Sequence, residues 1–270
     1  MSLPTATLPD GRLVYCVNPY EVEFSVAEIF CDDLVQHGLD LPKNGVYFDV
    51  GANIGLYAMF IQGQCPQARI FSYEPIPSAY AALEKNAQGL SSEAYAHHLA
   101  LGTEPGEIEF NYYPGITALS TSHAEVGDRL AGGLKRMLRR EHSDQNVLDI
   151  LDRTGATERT QEETGFIEGL FETEQVRARV DTLSNQIAHY HIDHIDLLKI
   201  DTEGAEKEVL AGIDEQDWAK IRQLMVEVHI GKDECDRINQ DLRDRGYTTS
   251  VGDHLLSNGG IPVYQIYAHR

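Results

Sequence analysis

Val46-Tyr47-Phe48-Asp49-Val50-Gly51-Ala52-Asn53-Ile54-Gly55 decides the fold. Four large apolar side chains surround one acid and run into Gly-x-x-x-Gly, the pattern of a buried strand, a tight turn and a helix start. The two glycines let the backbone come close to a ligand, and the first turn of the helix leaves N–H groups free to meet it. The stretch reads as a nucleotide-type cradle.

Spacing separates three kinds of cradle. A P-loop requires Gly-Lys-Ser/Thr, and no lysine follows Gly55. A dinucleotide turn sets its glycines as G-x-G-x-x-G to admit a pyrophosphate, a spacing absent here. Asp49, just ahead of the turn, would repel a phosphate and suits a cationic or amino-bearing ligand. S-adenosylmethionine (SAM) carries a sulfonium and an ammonium but no phosphate. Asp49, Gly51, Ala52, Asn53 and Gly55 therefore point to SAM rather than NAD. A second acid ends the strand-like run Ala68-Arg69-Ile70-Phe71-Ser72-Tyr73-Glu74-Pro75, 25 residues after Asp49. Glu74 at that tip can take both hydroxyls of a ribose, which marks a nucleoside without saying which one.

Composition bounds the rest. The 270-residue chain is 42% hydrophobic, enough for one large α/β core with an elaboration. It has no apolar run of about 18 residues that would suit a membrane span. Its first residues lack the charged and apolar regions of a secretory leader. Cys16, Cys31, Cys65 and Cys235 show no C-x-x-C spacing for zinc or a disulfide framework, so a reducing, cytoplasmic setting is expected. A net charge of −21, from 43 acidic against 22 basic residues, argues against nucleic acid or an anionic membrane as partner. Lys135, Arg136, Arg139 and Arg140 nevertheless gather four cations at helical spacing.

Taken in order, Leu13–Val17 reads as a strand and 22–39 as a helix, together a cap segment over the cofactor edge. Ile54–Gln62 and Pro77–Gln88 read as helices, the second with proline in its first turn. Tyr95–Gly102 reads as a third strand, and Gly106–Tyr113 as an added hairpin strand. Pro114–Ser122 is a hydroxyl-rich loop able to line a site. His123–Gln175 is dense in charge and helical in character. Few sheets need about 50 residues between core strands, so it reads as an insert with the role of a lid. Arg179–Leu183, then the strands His194–Asp201 and Ile221–Ile230, resume the core. A helix over 233–245 and a terminal hairpin, Tyr247–Val251 with Val263–Ala268, close it. Strands alternating with helices imply right-handed parallel crossovers.

Phe48-Asp49-Val50-Gly51-Ala52-Asn53-Ile54-Gly55, Tyr73-Glu74-Pro75, Ala100-Leu101-Gly102, Val180-Asp181-Thr182-Leu183 and Leu198-Lys199-Ile200-Asp201-Thr202-Glu203-Gly204-Ala205-Glu206 together resemble the FkbM family of SAM-dependent methyltransferases. The likeness covers roughly residues 45–122 and 178–232, in the family's order. It implies a Rossmann-like class I α/β fold: a mostly parallel seven-stranded sheet with helices on both faces, over a methyltransferase domain 45–270. It implies O-methylation of hydroxyls on polyketide-type natural products or sugars, and it adds Pro75, Ala100, Leu101 and Asp201 to the cofactor site. The insert departs from the common core and leaves the acceptor open.

Methyl transfer needs an acceptor oxygen placed in line with the sulfonium carbon and a group to take its proton. His229 is the first choice of base, with Glu227 two residues back on the same strand face to orient it. Asp201 and Glu203 compete for that role. The same four residues could instead hold Mg²⁺ or Mn²⁺, a reading placed second to a metal-free base. The basic cluster could engage a phosphopantetheine arm or the acidic face of an acyl carrier protein, or simply pair with nearby acids. Other readings stay open: N- or C-methylation, or a SAM-binding regulatory protein without turnover. An NAD-dependent oxidoreductase is disfavoured by the glycine spacing. His97, His98, His189, His191 and His194, and Tyr73, Tyr112 and Tyr113, read as packing or surface residues.

Overall fold

The structure is a computed structural model, and it describes residues 3–29, 34–139, 165–252, 254–258 and 260–270. Two short strands, β1 (Thr5–Thr7) and β2 (Leu13–Tyr15), pair antiparallel ahead of α1 (Pro19–Ile29). This helix is shorter than the 22–39 expected from sequence, and residues 34–37 form a separate 3-10 turn. The core then alternates as expected: β3 (Val46–Val50), α2 (Leu56–Gln64), β4 (Arg69–Tyr73), α3 (Pro77–Gln88) and β5 (Glu93–His97). Next come β6 (Ala100–Leu101), β7 (Gly106–Tyr112), α4 (Ala124–Leu138), α5 (Phe166–Leu170) and β8 (Glu174–Asp181). The chain ends with α6 (Leu183–His189), β9 (Leu197–Ile200), α7 (Glu206–Ala211), α8 (Glu215–Trp218), β10 (Gln223–Val228), α9 (Lys232–Asp244), β11 (Thr248–Gly252), α10 (Leu255–Asn258) and β12 (Tyr264–His269).

Seven strands form the central sheet in the order β11-β12-β10-β9-β3-β4-β5. Pairing is parallel from β10 through β5, and β12 runs antiparallel to both neighbours. The strand order reverses between β3 and β9, which is where open α/β sheets leave a crevice at the carboxyl ends of their strands. Every residue of β3 is buried, because helices cover both faces. Val46, Phe48 and Val50 pack with Ile187 and Leu183 of α6 and with Leu242 of α9, while Tyr47 joins Tyr57 and Ile61 of α2. That period of two is what a central strand covered on both faces requires.

Two expectations fail at the far edge. Tyr95–Gly102 is not one strand: β5 ends at His97, and Ala100–Leu101 belongs to a separate sheet, β6-β8-β7. Nor is Gly106–Tyr112 half of a local hairpin. It pairs antiparallel with β8, from Gly106 opposite Val180 to Tyr112 opposite Glu174. β8 thus begins inside the segment read as helical insert. Its residues alternate, with Ala178 buried and partly buried Val176 and Val180 joining it against Phe110 and Ile76. Gln175, Arg177 and Arg179 on the other face are exposed, and the end of β8 coincides with the start of the segment Arg179–Leu183 read as core.

The helical character of the insert holds at α4, which buries Val126, Leu130 and Met137 against Tyr113, Leu119, Phe171 and Ile261. The part of the insert at 140–164, Arg140 included, lies outside the described residues.

Candidate active site

A cleft opens over the tips of β3, β4 and β9. Gly51, Asn53, Glu74, Pro75, Ala100, Leu101 and Asp201 all line it, as do Thr117 and Ser120 of the hydroxyl-rich loop. Ile76 and Phe110 give it an apolar wall.

Gly51 shows why the turn is glycine. Its φ is +83°, and a Cβ there would stand 1.6 Å from the Asp201 carbonyl oxygen. The turn after β3 and the turn after β9 touch backbone to backbone, with Asp201 N–H donating to Val50. Gly55, at φ +87°, backs onto Leu83, and Ala52 donates its N–H to the Tyr73 carbonyl; both shape the turn from behind the cleft. Asn53 holds φ +47°, a conformation asparagine tolerates better than most residues.

Glu74 ties the first two strand tips together. One carboxylate oxygen accepts Asn53 N–H at 2.8 Å and the other accepts Ile76 N–H at 2.7 Å. Each oxygen keeps lone pairs beyond those two bonds, so a pair of sugar hydroxyls can still be received. Burial pushes the Glu74 carboxyl up to about 7, against the pull of the two N–H groups.

Asp49 is a correction. Expected at the ligand's ammonium, it is fully buried on the Tyr47 face of β3 and is not among the residues lining the cleft. Neither oxygen accepts a hydrogen bond, and Lys199 Nζ stands 3.6 Å away as counter-charge. A mid-sheet strand covered on both faces leaves its penultimate residue beneath a helix rather than at the mouth. Lys199 also donates to Asp201 at 2.9 Å, so one buried cation serves both acids. The sequence reading overlooked that lysine.

The tips of β9 and β10 carry the titratable cluster. Asp201 and Glu203 line the cleft, whereas Glu227 and His229 sit behind them. His229 Nε2 lies 3.1 Å from Glu227 and 3.2 Å from Glu203. His229 Nδ1 lies 3.0 Å from Glu206, whose same oxygen accepts Gly204 N–H. The expectation that Glu227 orients His229 as a cleft-facing base is therefore revised. His229 is fully buried, and its orienting partner is Glu206 on α7. His254 adds a contact at 3.2 Å to Glu227.

Burial opposes charge on His229, but Glu203, Glu206 and Glu227 overcome it and hold the imidazole well above its ordinary value. Burial also raises the Glu203 carboxyl far above the usual range, against His229 and with Asp201 and Glu227 adding to the rise. For Asp201 burial is again the largest cause of a raised value. Glu227 goes the other way, because His254 and His229 outweigh its burial. Glu203 also holds a left-handed backbone, φ +52°, with its carbonyl accepting Thr121 Oγ1. Strain of this kind in a non-glycine residue clusters at functional sites.

The N-terminal helix reaches the same cleft. Thr117 N–H donates to Glu21, and the Thr117 hydroxyl lies 3.0 Å from Glu21 Oε2 and 3.1 Å from Asn53 Oδ1. Sequence offered no sign of this contact. The basic cluster is partly committed elsewhere: Arg139 pairs with Glu168 at 3.0 Å and Lys135 stands over the Phe171 ring, while Arg136 is exposed.

A nucleoside with a cationic tail fits what is present: hydroxyl acceptors at Glu74, an apolar wall, an excess of carboxylates and no P-loop lysine. Residues 49–249 match the methyltransferase FkbM domain family. The chain is 32% identical to 31-O-demethyl-FK506 methyltransferase FkbM of Streptomyces tacrolimicus, over 98% of this chain and 96% of that protein. It is 33% identical to AMB antimetabolite synthetase AmbE of Pseudomonas aeruginosa, over 97% of this chain but only 12% of the synthetase. The crystal structure of a methyltransferase FkbM from Methylobacillus flagellatus shares the fold, with a TM-score of 0.52 at 14% identity, covering 86% of this chain and 45% of that one. The chain belongs to the FkbM methyltransferase family and is a SAM-dependent enzyme of the class I α/β fold.

Proposed function

We propose that the enzyme methylates a hydroxyl oxygen on a small-molecule natural product of polyketide type or on a sugar. The observation that carries this reading is Glu203, a carboxylate of raised basicity on the cleft wall, in a chain alike over nearly its full length to a protein named for O-methylation. SAM supplies the methyl group. Glu74 takes the sugar hydroxyls, and the turn at Gly51 to Asn53 sets the position of the cofactor. Glu203 receives the acceptor's proton, because a carboxyl raised by burial and by neighbouring acids is a stronger base than an ordinary one. Asp201 and Lys199 fix the floor beside it. Positioning of the two reactants supplies most of the remaining rate.

The segment 1–44 acts as a cap and α4 as part of a lid in this reading, since Glu21 and Val126 pack over the cleft-lining loops. An acceptor delivered on a phosphate-bearing carrier arm would meet the exposed Arg136 and Arg139. Among the described residues, Cys16, Cys65 and Cys235 are free and buried, which suits a reducing cytoplasm. No helix among the described residues is long and apolar enough to cross a membrane.

The test offers SAM with a panel of hydroxylated macrolactones, sugars, amines and activated carbon acids, and reads one added methyl by mass spectrometry. Methyl on oxygen is expected. Methyl only on nitrogen or carbon would overturn the assignment.

A further inference from the structure

Behind the cleft wall lies a group of donors whose geometry exceeds the needs of a general base. Asp201, Glu227 and His229 each offer one ligand atom, and the three atoms all lie within 4.8 Å of one another. Adjacent donors around an octahedral ion, each about 2.1 Å from it, stand about 3.0 Å apart. His229 Nε2 to Glu227 is 3.1 Å and His229 Nε2 to Glu203 is 3.2 Å.

The imidazole is prepared as a ligand. Glu206 holds Nδ1 at 3.0 Å, is itself fixed by Gly204 N–H, and so turns Nε2 toward the carboxylates. A carboxylate on the far nitrogen is the usual support of a metal-bound histidine. His229 is fully buried, and its Nε2 stands within 3.2 Å of carboxylate oxygens of Glu227 and Glu203 without well-aligned hydrogen-bond geometry to either; Oε2 of Glu203 likewise lacks an aligned bond. Buried polar atoms left without an aligned partner in a native site call for an explanation, an ion among them. The carboxylates of Asp201, Glu203, Glu206 and Glu227 converge here, with Lys199 on Asp201 as the lysine among them. The site carries surplus negative charge that a divalent cation would neutralise.

We propose that Asp201, Glu227 and His229 bind a divalent first-row cation, Mn²⁺ or one of similar mixed nitrogen and oxygen preference, with open positions toward the cleft. One imidazole with two carboxylates suits that class better than the all-oxygen cage of Ca²⁺. Its role rests on the methyl-transfer reading. An acceptor hydroxyl bound to the ion becomes more acidic, and its O–H proton passes to Glu203. The oxygen then bonds the methyl carbon as the carbon–sulfur bond breaks, and that electron pair stays on sulfur as the neutral thioether.

Full-length protein, stripped by chelator and dialysis, is titrated with Mn²⁺ alone while the paramagnetic resonance signal of the free ion is followed. One Mn²⁺ per chain is expected. Glu227→Gln removes this binding, and Glu206→Gln, which leaves all three ligands in place, weakens it about 10–100-fold. S-adenosylhomocysteine binding by the same variants reports that their fold and cofactor half are intact. Mn²⁺ left free by protein that binds S-adenosylhomocysteine would overturn the site and leave a proton on His229 as the filler of that space. Equal Mn²⁺ binding by Glu227→Gln would overturn it too. A wild-type protein that takes up Mn²⁺ but not S-adenosylhomocysteine would support the site and overturn the reading of the cleft.

Discussion

The two halves of the cleft are built on opposite plans. At the tips of β3 and β4 the work is done by backbone: Gly51 bends, Asn53 and Ile76 offer N–H groups, and Glu74 accepts one with each oxygen. At the tips of β9 and β10 it is done by side chains, and several buried atoms of Glu203, Glu206 and His229 lack an aligned hydrogen bond. A turn whose N–H groups and capping carboxylate are already paired without the ligand is preorganised to hold it. A half that is not satisfied is waiting for a charge, a proton or an ion, and is where chemistry should be most sensitive to substitution.

The sharpest way to break the contrast is Gly51→Ala, because the two halves touch there. The added Cβ meets the Asp201 carbonyl in a left-handed backbone, and one of the two turns must move. A loss of about 4 kcal/mol or more in unfolding free energy is expected, with cofactor binding lost as well. Denaturant unfolding that matches wild type would show that the turns are not in register as described.

Glu203→Gln separates the halves. Loss of a general base typically lowers turnover about 10²–10⁴-fold, while the cofactor half is untouched. Steady-state kinetics beside calorimetry would decide this. Equal loss of turnover and of cofactor affinity would mean that Glu203 belongs to both halves.

Glu21 offers a milder probe, through the loop that roofs the cofactor half. Burial pushes its carboxyl from an ordinary 4.5 up to about 8. One Thr117 hydroxyl proton cannot serve both Glu21 and Asn53, and a proton on Glu21 completes the chain. A raised carboxyl gives stability that is complete below about 4.5 and is lost as pH climbs through about 8. Glu21→Gln imitates the protonated form. Its melting temperature should match wild type near the low end of that window and exceed it near the high end; a gap that does not vary with pH would contradict this.

The smallest effect is expected outside both halves. Arg139 and Glu168 are about half exposed or more, so Arg139→Glu should change stability by less than about 1 kcal/mol and leave free acceptors unaffected. A fall in kcat/KM confined to a carrier-tethered acceptor would support docking through this face, and equal rates would remove it.

Legibility in sequence follows the same division. β3, α2, β4 and α3 and the role of Gly51 and Glu74 can be read because strand, turn and acid lie within one stretch, so that periodicity and spacing carry the geometry. Leu197–Ile200 and Gln223–Val228 were legible as strands, and Asp201, Glu203, Glu227 and His229 as a set. Their arrangement was not: whether His229 meets Glu227 or Glu206 depends on how α7 follows β9, which no spacing states. Asp49 misled because an acid beside a glycine turn looks accessible until both faces of β3 are covered. The start of β8, Glu174 and Gln175, fell inside the insert and only its end was read with the core at Arg179–Leu183, because its pairing partner β7 lies far away in the chain. Glu21 had no local signal at all, since its partners at 53 and 117 are brought to it only by the fold.

The central claim is that the cofactor lies over the tips of β3 and β4 with its sugar held by Glu74. Calorimetry with S-adenosylhomocysteine tests it most directly, on wild type and on Glu74→Gln, whose amide would set a donor against Asn53 or Ile76 N–H. One site per chain is expected, weakened about 10–100-fold in the variant by loss of charge-assisted hydrogen bonds worth about 1.5–3 kcal/mol. No heat from folded wild type, or equal affinity in both proteins, would contradict the account.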